Sequence, residues 1–154
     1  MILGIDPGVA SSGWAVLDDN HQLVVCGCIK TKKIDDFADR LSQIYHQVQD
    51  LCREHKVNEL AIESIFFAKN AKTAIVVAQA MGVIKAAASS LGIKVFDYTP
   101  LQIKIAITGY GRAEKCQVAQ MVQRTLEVDD VIKNNHAADA AAAALTHIFT
   151  LKHD

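Results

Sequence analysis

Little in this sequence points to a framework of disulfides or structural metal. The four cysteines, Cys26, Cys28, Cys52 and Cys116, form no CxxC pair. Cys26 and Cys28 would share one face of a strand rather than grip an ion. They read as ordinary thiols, which fits a reducing cytoplasm. A chain of 154 residues buries roughly 68–70% of its unfolded surface and can fold without such staples. Also lacking is a basic start followed by a long apolar run, so no signal peptide is expected. The most apolar stretch, residues 74–91, carries Gln79 and Lys85 among many small side chains. It reads as a buried helix rather than a membrane span, and no membrane partner is expected. No repeat, low-complexity tract or Pro/Gly/Ser linker divides the chain, so residues 1–154 are expected to form one domain.

An excess of one charge is missing too. The net charge is −1, which looks wrong for a partner of nucleic acid until it is followed along the chain. Residues 66–124 hold eight basic side chains (Lys69, Lys72, Lys85, Lys94, Lys104, Arg112, Lys115, Arg124) against Asp97 and Glu114. That stretch is +6 and the remainder −7. Such asymmetry fits one basic face for a polyanion, although ordinary solvated faces also account for it.

What the sequence does contain is a clear alternation of elements. Residues 1–6 are an apolar run ending in Asp-Pro-Gly, a buried strand and a turn. Residues 13–17 and 23–30, rich in Val, Trp, Ile and Cys, flank the loop Asp18-Asp19-Asn20-His21. With such short links the three strands are antiparallel. Apolar residues at 37, 41, 44, 48 and 51 mark an amphipathic helix over 37–55. A strand at 59–65, a helix at 71–91 ended by Gly92, and a strand at 94–98 follow. Thr99-Pro100 opens another helix, and 113–126 and 136–151 are two more. The expected fold is α/β: a five-stranded mixed sheet of the ribonuclease-H-like type, with three antiparallel strands, two parallel crossovers and flanking helices.

Four residues stand out chemically. Asp6 ends a fully apolar strand, and Glu63 interrupts another, Leu60-Ala-Ile-Glu-Ser-Ile65. Both are costly there unless they reach solvent or a cation. If the first and fourth strands are neighbours, the two carboxylates meet across the sheet. His136 and Asp139 lie at i and i+3 at the start of an alanine-rich helix, hence on one face. Read singly, Asp6 before Pro-Gly serves as a turn former, Glu63 pairs with a lysine, His136 makes a local bond and Asp139 is solvated. Read together, three converging carboxylates repel unless a cation or a proton intervenes. Oxygen ligands with one imidazole suit Mg²⁺ or Mn²⁺ better than Zn²⁺. Two such ions about 3.5–4 Å apart can assist an in-line phosphoryl displacement.

Gly4-Ile-Asp-Pro-Gly8 with Gly13 downstream, Ala61-Ile-Glu-Ser-Ile-Phe66, Ala68-Lys-Asn70, Gly111-Arg-Ala-Glu-Lys115 and Ala137-Ala-Asp-Ala140 together resemble the RuvC crossover-junction endonucleases. The likeness runs from Ile2 to His147, with the motifs in the same order. It implies a homodimeric hydrolase of DNA recombination and repair. Such an enzyme cuts two strands of like polarity at a four-way junction, with two Mg²⁺ per subunit that Mn²⁺ can replace, and it works with the RuvA and RuvB branch-migration proteins in the cytoplasm. The resemblance maps the metal-binding quartet onto Asp6, Glu63, His136 and Asp139. His136 stands where the commonest family pattern has Asp, which lowers the negative charge of the site by one and is expected to favour Mn²⁺.

The same resemblance places Phe66 against an unpaired base, with Lys69 and Asn70 close by. It sets Lys104 and Lys115 near the scissile phosphate, with Lys115 stabilising transition-state charge and Lys104 contacting backbone. Thr108-Gly-Tyr-Gly-Arg112 leads into a helix whose exposed N–H groups, with Arg112 and Lys115, would favour phosphate, although a plain interhelical loop reads equally simply. Ala78, Gly82 and Ala86, four apart in the helix at 71–91, would admit a second helix, and the resemblance implies a two-fold dimer there. Two nuclease-free alternatives remain at this stage, a non-catalytic junction-binding protein and a sugar kinase or heat-shock-type ATPase. The chain is short for the last of these. A YqgF-like nuclease processing RNA is the nearest competitor among enzymes.

Overall fold

The computed structural model describes residues 1–65, 71–128, 132 and 134–151. Its elements run β1 (Ile2–Asp6), β2 (Ser11–Leu17), β3 (Leu23–Lys30), α1 (Phe37–Glu54), β4 (Glu59–Glu63), α2 (Ala71–Ser89), β5 (Lys94–Tyr98), α3 (Pro100–Thr108), α4 (Lys115–Thr125) and α5 (Asn135–Leu151). The sheet order is β3-β2-β1-β4-β5, with β1–β2 and β2–β3 antiparallel and β1–β4 and β4–β5 parallel. This is the ribonuclease-H-like arrangement expected from the strand and helix order. Several bounds differ from expectation by one or two residues. β2 begins two residues early, β4 stops at Glu63, and the helix expected from residue 113 starts at Lys115.

Because strand side chains alternate between faces, the register fixes which residues share a side. Leu3, Ile5, Val16, Leu60 and Ile62 point to the face covered by α1 and α2, packing with Ile44, Val48, Ile84 and Ala88. Ala15, Leu17, Ala61 and Tyr98 point the other way, into the layer built by α3, α4 and α5. Asp6 falls on that second face by parity with Gly4, and Glu59 and Glu63 do so by parity with Ala61. β1 and β4 thus send their carboxylates to one side only, whereas Asp97 of β5 points to the other face.

α5 lies flat on that side because the strands beneath it are cut down to glycine. A Cβ built on Gly4 would stand 2.0 Å from the Ala140 carbonyl oxygen, and one on Gly13 1.9 Å from that of His136. Both glycines are required by the close approach of a helix backbone. From Ala137 to Ile148 every residue of α5 except Asp139 is buried, so hydrophobic burial fixes the helix that carries two of the candidate ligands.

α2 departs from the expectation of burial on several sides. Ala80, Ile84, Ala87 and Ala88 are buried, but Ile75 is 58% exposed, and Ala78, Gly82 and Ala86 face outward. The helix is long and apolar enough to cross a membrane by length and composition alone. The reason for the split is that sheet and α1 cover only one side, leaving an apolar stripe of small residues uncovered among the described residues.

Candidate active site

The C-terminal ends of β1 and β4 lie side by side, Ile5 opposite Ile62, which brings Asp6 next to Glu63. The loop after Asp6 is tied down locally. Ser12 Oγ donates to the Gly8 carbonyl and accepts the Gly8 N–H at 3.1 Å, while Thr31 Oγ1 donates to the Val9 carbonyl at 2.6 Å. After Glu63 the chain is held by the Ser64 N–H donating to the Tyr98 carbonyl at 2.8 Å. The Asn134 side chain accepts the His136 N–H at 2.8 Å where α5 begins. Each carboxylate therefore projects from a backbone already fixed by hydrogen bonds.

These ends border a cavity of about 540 Å³ lined by Asp6, Glu63, Lys104, Lys115, His136 and Asp139, among others. His136 Nδ1 lies 2.7 Å from Asp6 Oδ2, and Lys115 Nζ pairs with Asp139 Oδ2. Ligand atoms of Asp6, His136 and Asp139 all fall within 4.8 Å of one another. Glu63 lines the same cavity from the neighbouring strand but lies outside that tight trio. The four residues singled out from sequence thus share one cavity, three of them in mutual reach.

Electrostatics bear out the crowding. Burial, then the nearby Asp6 and Asp139, push the Glu63 carboxyl up to about 7. Burial also raises Asp6, helped by Asp139 and opposed by the hydrogen bond from His136. For Lys115, burial works against its charge, but the bond to Asp139 and the fields of Asp139, Asp6 and Glu63 outweigh it and raise its pKa. Carboxylates driven toward protonation, with lysines at the rim, are what a site short of positive charge looks like. Two carboxylates and an imidazole in mutual reach, with a third carboxylate beside them, fit a hard divalent cation by donor type.

Other expectations are placed differently. Phe66, Lys69 and Asn70 lie outside the described residues. Lys104, on α3, borders the cavity as expected. Arg112 is exposed in the turn between α3 and α4 and does not line the cavity. The start of α4 is no open anion site. Glu114, a carboxylate, occupies the capping position, and its N–H donates to Gln117 Oε1 at 2.8 Å. The basic stretch is also not one face. Lys85 pairs with Asp97 at 2.6 Å, and Lys94 opens β5 beside Glu59, at the opposite end of the strands from the site.

The reading from sequence missed the polar residues deeper in α5. Thr146 and His147 are 1% and 0% exposed, although the helix reads as nearly plain alanine after Asp139. His147 sits between Tyr98 and Glu59. The signal that could have found it is a histidine interrupting an otherwise apolar helix, since a buried imidazole needs partners.

The family model of the crossover junction endodeoxyribonuclease RuvC matches residues 2–147. A crossover junction endodeoxyribonuclease RuvC from Finegoldia magna is 44% identical, the match covering 98% of this chain and 94% of that protein. One from Natranaerobius thermophilus is 41% identical over 96% and 93%. The solved structure of Thermus thermophilus RuvC in complex with a Holliday junction substrate superposes with a TM-score of 0.91 at 31% identity, covering 99% of this chain and 94% of that one.

Proposed function

The chain belongs to the RuvC family of crossover junction endodeoxyribonucleases, and on that premise we propose that it resolves Holliday junctions at the cavity shared by Asp6, Glu63, His136 and Asp139. The observation that carries this assignment is the trio Asp6, His136 and Asp139 within 4.8 Å, with Glu63 on the adjoining strand. The four would hold two Mg²⁺ per subunit, with Mn²⁺ able to replace them. Held there, divalent cations supply Lewis acidity toward a phosphodiester and lower the pKa of an attacking water.

The chain's own residues do the rest. Asp6 and Glu63, fixed on adjacent strand ends, set one wall of the site, and His136 and Asp139 set the other from α5. Lys115, drawn in by Asp139, carries positive charge to the place where a phosphate would gain negative charge. Lys104 adds a backbone contact from the cavity rim. Arg112, Phe66, Lys69 and Asn70 extend the DNA surface in this proposal, Phe66 by stacking on an unpaired base, which is worth roughly 1–3 kcal/mol.

Two symmetric cuts need a two-fold enzyme, and the uncovered stripe of α2 is the surface we assign to the homodimer. Adding a Cβ to Gly82 meets nothing within 4 Å, so this glycine has no packing role within the subunit and costs about 1 kcal/mol as a mid-helix residue. Close approach of a second helix accounts for it. The proposal extends to one nuclease domain over residues 1–154, acting in the cytoplasm with RuvA and RuvB.

Incubating a synthetic immobile four-way junction with the protein and Mg²⁺ or Mn²⁺, and mapping nicks on all four strands, tests the reading. Paired nicks in two strands of like polarity are expected. Cleavage of single-stranded RNA in preference to the junction would instead support an RNA-processing enzyme.

A further inference from the structure

His147 is fully buried on α5 and bonded at both ring nitrogens. Tyr98 Oη lies 2.7 Å from Nδ1 and Glu59 Oε2 lies 3.0 Å from Nε2. Phe96 packs on the ring, centroids 4.2 Å apart. One neutral tautomer satisfies the whole chain: the tyrosine hydroxyl donates to Nδ1, and Nε2–H donates to the carboxylate. The imidazole is thus held in position and orientation by two polar contacts and a ring packed on it at a tilt of 34°.

The placement of these partners is what gives the cluster a consequence. Glu59 starts β4 and Glu63 ends it, so about 13 Å of strand joins them. His147 follows His136 by eleven residues, about 16.5 Å along α5 and within about 20° of the same helix face. Tyr98 is the register partner of Glu63, and its carbonyl holds Ser64. β4 and α5 therefore meet twice, at the catalytic end through Glu63 and the ligands of α5 and farther along through Glu59 and His147, where β5 adds Tyr98.

We propose that the Glu59–His147–Tyr98 cluster is a positioning clamp that sets the slide and rotation of α5 on the sheet, and so the distance from His136 and Asp139 to Asp6 and Glu63. None of the three is a catalytic residue, since none borders the cavity. Alanines along α5 pack closely but interlock weakly, because they present nearly uniform methyl groups to the sheet. A directional bond at the far end removes the freedom that such a surface leaves. A displacement near 1 Å at a reacting centre can cost about 100-fold in rate.

This inference rests on the ligand assignment proposed above, and the experiment separates the two. Mn²⁺ binding is measured by electron paramagnetic resonance titration for the wild type, Tyr98→Phe, Glu59→Ala and Glu59→Gln. Junction affinity in Ca²⁺ and kcat at saturating junction are measured alongside. Tyr98→Phe and Glu59→Ala are expected to weaken Mn²⁺ binding about tenfold, the lower end of what losing a partner bonded directly to a ligand costs, because the clamp acts through α5 and not on a ligand. They should lower kcat while leaving junction affinity within about twofold. Glu59→Gln keeps an acceptor for Nε2–H and should stay near wild type. If Glu59→Ala does not fold, Tyr98→Phe, which removes one hydroxyl, decides the matter. Wild-type Mn²⁺ binding that the folded variants retain unchanged, or a Gln variant as weak as the Ala one, overturns the clamp alone. A wild type that binds no Mn²⁺ overturns the ligand assignment and the clamp with it.

Discussion

The two faces of the sheet are covered in opposite ways. On the α5 side, glycines and alanines let a helix backbone sit almost on the strands. On the α1 and α2 side, Leu3, Ile5, Ile44, Leu60, Ile62 and Ile84 fill a layer of branched side chains. A branched layer supplies burial and tolerates small shifts, whereas backbone on backbone leaves no slack in the separation of helix and sheet, so that only slide and rotation remain to be set. Both helix-borne candidate ligands ride on the tight face, and the uncovered apolar stripe belongs to the bulky one. Position is specified on one side of the sheet, mass and association on the other.

The contrast is sharpened most by Asp6→Asn, which removes one charge on the tight face without changing shape. Cleavage is expected to fall by at least about 1,000-fold, with junction binding retained; gel-shift and nicking assays on the same preparation check both. Ile84→Ala deletes bulk from the opposite face and should cost roughly 2–5 kcal/mol in urea unfolding. The folded fraction should keep kcat within about twofold, and a large loss of kcat would break the division between the faces. Gly13→Ala puts a methyl group against the His136 carbonyl. We expect a smaller stability loss, roughly 1–3 kcal/mol, but a drop in cleavage near 100-fold because the start of α5 must move.

Acid–base behaviour gives a fourth comparison. With Glu63 raised from 4.5 to about 7 in the fold, the folded state holds its proton over a range where the unfolded chain has released it. Metal-free stability therefore falls as pH rises from 4.5 to 7 and stays reduced above that. Glu63→Gln mimics the protonated form. At pH 8 without metal it should be about 2 kcal/mol more stable than wild type, after allowance for solvent screening. At pH 4 the two should coincide in thermal melts. The smallest effect belongs to Gly82→Ala on α2, about 0.5–1 kcal/mol of added helix stability per subunit. If a second subunit packs there, the same change weakens self-association in sedimentation runs at micromolar concentration.

Much of this was legible in the sequence. The apolar runs at 1–6 and 59–65, each holding one awkward carboxylate, and the i, i+3 spacing of His136 and Asp139, located the sheet centre and the ligand face, since such patterns are local. What was not legible depends on which surfaces meet. Gly4 and Gly13 read as motif glycines, and only the packed helix shows the carbonyls above them. The helix at 71–91 read as buried, with Ala78, Gly82 and Ala86 spaced to admit a second helix, but composition does not reveal that the layer covering it within the subunit ends at that stripe. The pairing of Lys85 with Asp97 was likewise hidden in a count of charges. His147 was overlooked because its partners lie 49 and 88 residues away.

The glycine contacts under α5 also bear on how the protein can change over generations. At Gly4 and Gly13 the nearest obstacle is a main-chain oxygen, which every amino acid possesses. Trimming a neighbouring side chain cannot make room for a substitution at either site. A genetic screen starting from Gly13→Ala should accordingly return true revertants, and second-site suppressors only where they lift the whole helix.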